Sequence, residues 1–129
     1  EAPVNAIWEG SGNVMGLDVL RAFGREPEAA RAVIAELARE AKALQGAAEA
    51  ADFIGKTLTM ETSEAYARAA TERIAQLAAA AALATGPAGK VAAAYARMRL
   101  GHGWQGATYG TAQLEPAEIS LLLKRVLPA

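Results

Sequence analysis

The sequence contains no cysteine. That excludes a disulfide framework, a thiolate metal site and a cysteine nucleophile. It has one histidine, His102, so a metal site built on several histidines is excluded as well. Aromatic residues are scarce, with 2 Phe, 2 Trp and 3 Tyr in 129 residues. No segment alternates as a half-buried strand does, and β-branched residues are few. The longest apolar run, Leu77 to Ala84, is eight residues, whereas a membrane span needs about 20. No secretory leader pattern stands at the start. The chain opens Glu1-Ala2-Pro3, and we read it as a cytoplasmic piece of a longer protein. The net charge of −1 excludes a uniformly basic nucleic-acid binder.

What is abundant is alanine, at 34 residues. Alanine is the strongest helix former and lets helices approach closely. The expected fold is all-α, an Ala-rich bundle of five to six helices. Apolar residues at spacings of 3 and 4 place the helices. The first is expected from Ser11 to Phe23, apolar almost all round, mostly buried and stopped by Gly24. The second runs from Pro27 to Leu44 on the stripe Ile34, Leu37, Ala41, Leu44. A weaker third runs from Ala47 to Leu58, with Phe53, Ile54 and Leu58 on its face. The fourth and longest runs from Ser63 to Ala84 on Tyr66, Ala70, Ile74, Leu77, Ala81 and Ala84, and Gly86-Pro87 ends it. A fifth runs from Ala88 to Leu100 with Val91, Tyr95 and Met98 inward. The last runs from Pro116 to Leu127 on Ile119, Leu122, Leu123 and Val126.

Charge is divided along the chain. Residues 1–64 carry 6 basic and 11 acidic groups, while residues 65–129 carry 7 basic and 3 acidic. Between Arg73 and Leu114 there is no acid at all. The near-neutral total hides a bipolar chain.

The densest cluster of chemically capable residues is Ile7-Trp8-Glu9-Gly10-Ser11-Gly12-Asn13. An acid beside an aromatic, held away from water, has a raised pKa and becomes a usable general base. Gly10 permits close approach of a substrate to the backbone. Ser11 and Asn13 add hydrogen-bonding groups at a helix start, where an anion is favoured. On residue types alone, Glu9 reads first as an ordinary acid before a helix and Ser11 as an ordinary cap. The glycines at 10, 12 and 16 lack both the spacing and the preceding strand of a dinucleotide fingerprint.

The stretch EAPVNAIWEGSGNVMGLDVLRA resembles the start of the C-terminal helical part of acyl-CoA dehydrogenases. The Trp before Glu-Gly-Ser is closest to the alkylation-response branch of that family. The resemblance implies FAD as cofactor and an acyl-CoA thioester as substrate. It implies that Glu9 removes the α-proton while hydride leaves the β-carbon for flavin N5. Trp8 matches the aromatic lining the acyl pocket and flavin, and Gly10, Ser11 and Asn13 match positions near the cofactor. It further implies a division into residues 1–24, ending the core helical domain, and 25–129, an extra C-terminal domain. The remaining domains of a parent chain, and further copies in a homo-oligomer, are the implied partners. The isolated chain is expected to neither hold FAD nor oxidise acyl-CoA.

The basic half supports a different reading. Lys90, Arg97 and Arg99, with Arg73 nearby, precede a Gly-rich loop holding His102, Trp104, Gln105 and Tyr109. Cations beside aromatics can hold phosphates and stack bases. Double-stranded DNA is therefore the alternative partner, and the resemblance to the alkylation-response branch points the same way. The plainer reading makes Arg97 and Arg99 a solvated helix face. His102 has no second ligand and reads as a loop residue. Asp18 and Arg21 read as an ion pair on a buried helix.

Overall fold

A computed structural model describes residues 12–59, 63–87, 89–101 and 114–126. Six helices account for them: α1 Gly12–Arg25, α2 Pro27–Glu40, α3 Ala47–Thr59, α4 Ser63–Thr85, α5 Gly89–Arg99 and α6 Pro116–Val126. No strand occurs among the described residues. The fold is an all-α bundle.

Helix α4 is the axis of the bundle. It packs against α1, α2, α3 and α5, while α6 sits on α5. The alanines explain the arrangement. Ala67, Ala70, Ala80 and Ala81 are buried on α4, so four neighbours can approach one helix. Ile54 and Leu77 are the largest apolar side chains fully removed from water. Ile34, Ala41, Ala47, Ala96 and Leu100 complete one core with them. Buried polar groups are satisfied locally. Thr57 Oγ1 donates to Phe53 O at 2.9 Å, and Gln76 Nε2 donates to Glu72 at 3.1 Å.

Several expectations need correction. Gly24 does not stop α1, since the helix continues to Arg25 and Glu26 N still donates to Ala22 O at 3.2 Å. Pro27 ends it: the proline ring forces the preceding residue out of the α region, and Glu26 sits at φ −131°, ψ 65°. Helix α2 ends at Glu40, not Leu44. Bonds of shorter span then take over, Lys42 N to Arg39 O at 3.4 Å and Leu44 N to Ala41 O at 2.8 Å. The stripe misled because Ala41 and Leu44 still face the core from within a turn. Apolar periodicity reports burial, and a tight turn can carry it past a helix end.

Burial corrects others. α1 is not mostly buried: Val14 and Met15 are nearly half exposed. Tyr66 is exposed and its neighbour Ala67 takes the inward place. On α5 the inward residues are Ala92, Ala94 and Ala96, with Val91, Tyr95 and Met98 only half-buried. The close α4–α5 contact leaves room for methyl groups and not for larger side chains. No residue of α6 is buried. Its stripe residues Ile119, Leu123 and Val126 are exposed by 43%, 52% and 74%.

An apolar groove of about 520 Å³ opens between the end of α1, α2 and α3. Leu20, Phe23, Ile34 and Leu58 give it apolar walls, and Arg31 stands at its rim.

Candidate functional site

The cluster at 7–13 runs in sequence into the first turn of α1, and of it Gly12 and Asn13 are described. Trp8, Glu9, Gly10 and Ser11 lie outside the described residues, as does the Gly-rich loop from His102 to Tyr109. Asn13 lies in the first turn of α1.

Helix α1 is held there by two close approaches to α4. A Cβ added at Gly16 would lie 3.0 Å from Arg68 N and 3.1 Å from the Ala67 carbonyl carbon. Both are backbone atoms, so a side chain at this crossing requires the helices to part by a few tenths of an ångström. At Gly12 an added Cβ would lie 3.4 Å from Arg68 Nε. The Arg68 guanidinium therefore stands beside the N-terminal end of α1. That end carries the positive pole of the helix dipole. A guanidinium and a helix N-terminus together suit an anionic group. Sequence reasoning did not single out Arg68. It lies 56 positions after Gly12, and only the α1–α4 crossing joins them.

Replacing Gly16 with Ala tests the crossing. The added methyl forces α1 off α4, at about 1–3 kcal/mol for overpacking. The helix propensity gained, about 1 kcal/mol, offsets part of it. The expected result is a net loss measured by urea denaturation. Gly55→Ala is the control, because its Cβ meets nothing within 4 Å. There the chain should gain about 0.5–1 kcal/mol.

The basic residues are differently placed from one another. Lys90 is exposed in the first turn of α5. Arg97 Nη2 donates to Glu118 Oε2 of α6. Glu118 also accepts from Glu115 N at 2.9 Å, closing the first turn of α6. The hydrogen bond from Arg97, then that from the Glu115 N–H, hold the Glu118 carboxyl below its ordinary range. Arg97 is raised by the same partner. Arg73 Nη1 donates at 3.1 Å to Arg99 O, satisfying a terminal carbonyl of α5. Two of the four cations thus tie α5 to its neighbours. Asp18 and Arg21 do pair, at 2.7 Å, but exposed to water by 63% and 67% and not on a buried face. Such a pair contributes little. No group of three or more metal-ligating side chains occurs among the described residues.

The Glu118 arrangement has a pH consequence. A depressed carboxyl contributes its link above the ordinary carboxylate range and loses it as pH falls through the lowered value. In an NMR titration, the amide of Glu115 should shift with a midpoint below the ordinary glutamate value of about 4.3. Arg97→Ala should move that midpoint up. An unmoved midpoint would show that the guanidinium is not the cause.

The described residues define an all-helical unit whose first described helix follows, in sequence, the Glu9-bearing, glycine-rich segment. No family model matches the chain, and no solved structure matches it. Over a short stretch it is similar to the putative acyl-CoA dehydrogenase AidB of Escherichia coli (strain K12), with 65% identity over 26 residues. The match covers 20% of this chain and 5% of that protein. No described helix is long and apolar enough to cross a membrane.

Proposed function

We propose that this chain is the C-terminal helical part of an FAD-dependent acyl-CoA dehydrogenase-like protein, with Glu9 as the base that removes the α-proton of the thioester. The observation that carries the reading is the 65% identity over 26 residues to a putative acyl-CoA dehydrogenase. The Trp8-Glu9-Gly10-Ser11 segment running into α1 supports it chemically. The described residues suit a dinucleotide-type cofactor at one point: the α1 terminus beside Arg68 favours an anion, and FAD carries a pyrophosphate. When bound, FAD supplies the hydride acceptor at N5.

In this reading Trp8 keeps water from Glu9, so the carboxylate is raised toward the acidity of an activated α-carbon. Gly10 lets the substrate approach the main chain. Ser11 and Asn13 offer hydrogen bonds to the cofactor. The bundle beyond α1 is a scaffold and a surface for other copies or other domains of a parent chain. A cytoplasmic location belongs to the same proposal.

The test is flavin bleaching by acyl-CoA in a flavin-loaded protein containing this chain. Glu9→Gln should abolish it, and unchanged bleaching would refute the assignment. Among the described residues nothing favours duplex DNA on Lys90, Arg97 and Arg99. Arg97 is engaged by Glu118, and phosphate contacts are what generate such affinity.

A further inference from the structure

We propose that the groove between α1, α2 and α3 is a docking site for helix α6 of a second copy of this chain, giving head-to-tail association. The proposal stands apart from the flavin reading and from the residues at the start of α1. The groove lies at the other end of α1, about 16 Å along the helix from Gly12 to Phe23.

Two glycines first mark the groove. Gly24 and Gly55 are helical, and an L-residue could adopt the backbone at either, since only Gly46 has positive φ among the described residues. A Cβ at either would meet nothing within 4 Å. Neither is needed for turning or for packing within the chain, yet both line this groove. The space above them is open, and its walls are apolar.

The same chain carries the matching shape. Ile119, Leu122, Leu123 and Val126 repeat at 3, 1 and 3, the anchor pattern of a helix laid into a groove. None of them is buried in the chain's own bundle. No residue of α6 lines the groove, and α6 packs on α5. The two surfaces are thus on different parts of one molecule, which makes their contact heterologous.

Charge sets the orientation and the choice of partner. Lys124 and Arg125 close α6 and are exposed. Glu26 and Glu28 flank Pro27 at the groove's α2 end and are exposed. None of the four forms an ion pair with a described residue. An α6 antiparallel to α2 brings these cations to these acids. It also sets the negative pole of one helix at the positive pole of the other. Arg31 is exposed and lines the groove, so its stem can pack along a docked helix while its head stays in water.

Sedimentation velocity over a concentration series tests this with the whole chain. The parent should associate as concentration rises. Gly55→Leu fills the groove and Leu123→Glu charges the stripe, both at exposed helical positions where the fold persists, checked by circular dichroism. Each variant alone should associate at least about tenfold more weakly. Mixed together, they should form a one-to-one pair and stop, because one intact groove meets one intact stripe. A parent that stays monomeric up to millimolar concentration overturns the proposal. So does a Gly55→Leu chain that associates like the parent, the result of a symmetric pairing of two α6 stripes. A mixture that stays monomeric while the parent associates overturns it too.

Discussion

Gly46→Ala should remove more stability than the same change at any other described glycine. Gly46 links α2 to α3 with φ +82°. A side chain in that region costs about 1–2 kcal/mol from its own backbone. The surroundings add a second penalty. An added Cβ would overlap the carbonyl carbon and oxygen of Leu100 and lie 2.8 Å from Gly101 N. These are main-chain atoms at the end of α5, and no rotamer change relieves the overlap. The turn would have to leave α5, and Leu100 and Ala47 would leave the core with it. We expect a loss of about 3 kcal/mol or more, read as a lower urea midpoint at unchanged slope. Domains of this size hold only about 5–15 kcal/mol in total. Gly46→Asn separates the two causes. Asn tolerates positive φ, so it would rescue the chain if backbone strain alone mattered. The overlap with Leu100 predicts that it fails as Ala does.

Gly46 also shows where the sequence was legible and where it stopped being so. The separator between the second and third helices could be read, because a glycine between two apolar periodicities marks a turn. What it touches could not, since Leu100 is 54 positions away. The same division runs through the fold. Local chemistry placed all six helices: Pro27 at one start, Gly86-Pro87 after one end, alanine everywhere. Long-range packing then decided which side of each helix is inward, and there the largest apolar residue was a poor guide. On α5 the tight contact selects Ala92 and Ala96 over Val91 and Met98. On α1 and α6 the apolar stripes exist, but the described chain covers them only in part. Asp18 to Arg21 could be read as a local pair. Arg97 to Glu118, across 21 positions, could not.

The chemistry proposed for the junction rests on the opposite kind of signal. Trp8-Glu9-Gly10-Ser11 is contiguous, so its residue types and order speak without any tertiary contact. Arg68, which completes an anion-favouring end of α1, was invisible because it reaches that point only through the Gly16 crossing.

Replacing Glu9 with Gln should give the largest functional effect. The carboxamide has nearly the volume and hydrogen-bonding reach of the carboxylate, but it cannot accept a proton. Loss of a positioned base lowers a rate by about a hundred- to ten-thousandfold. Flavin bleaching by acyl-CoA in a protein containing this chain should fall by that factor. Flavin content and acyl-CoA affinity should stay near the parent values, which separates lost chemistry from lost binding. Glu9→Asp refines the test. It keeps a base but withdraws it by one methylene, so the proton it must reach lies beyond good hydrogen-bond distance. An intermediate rate for Asp with almost none for Gln assigns proton abstraction to this side chain. Equal rates for Gln, Asp and parent would mean that the base lies elsewhere, and Glu9 would revert to an ordinary acid before a helix.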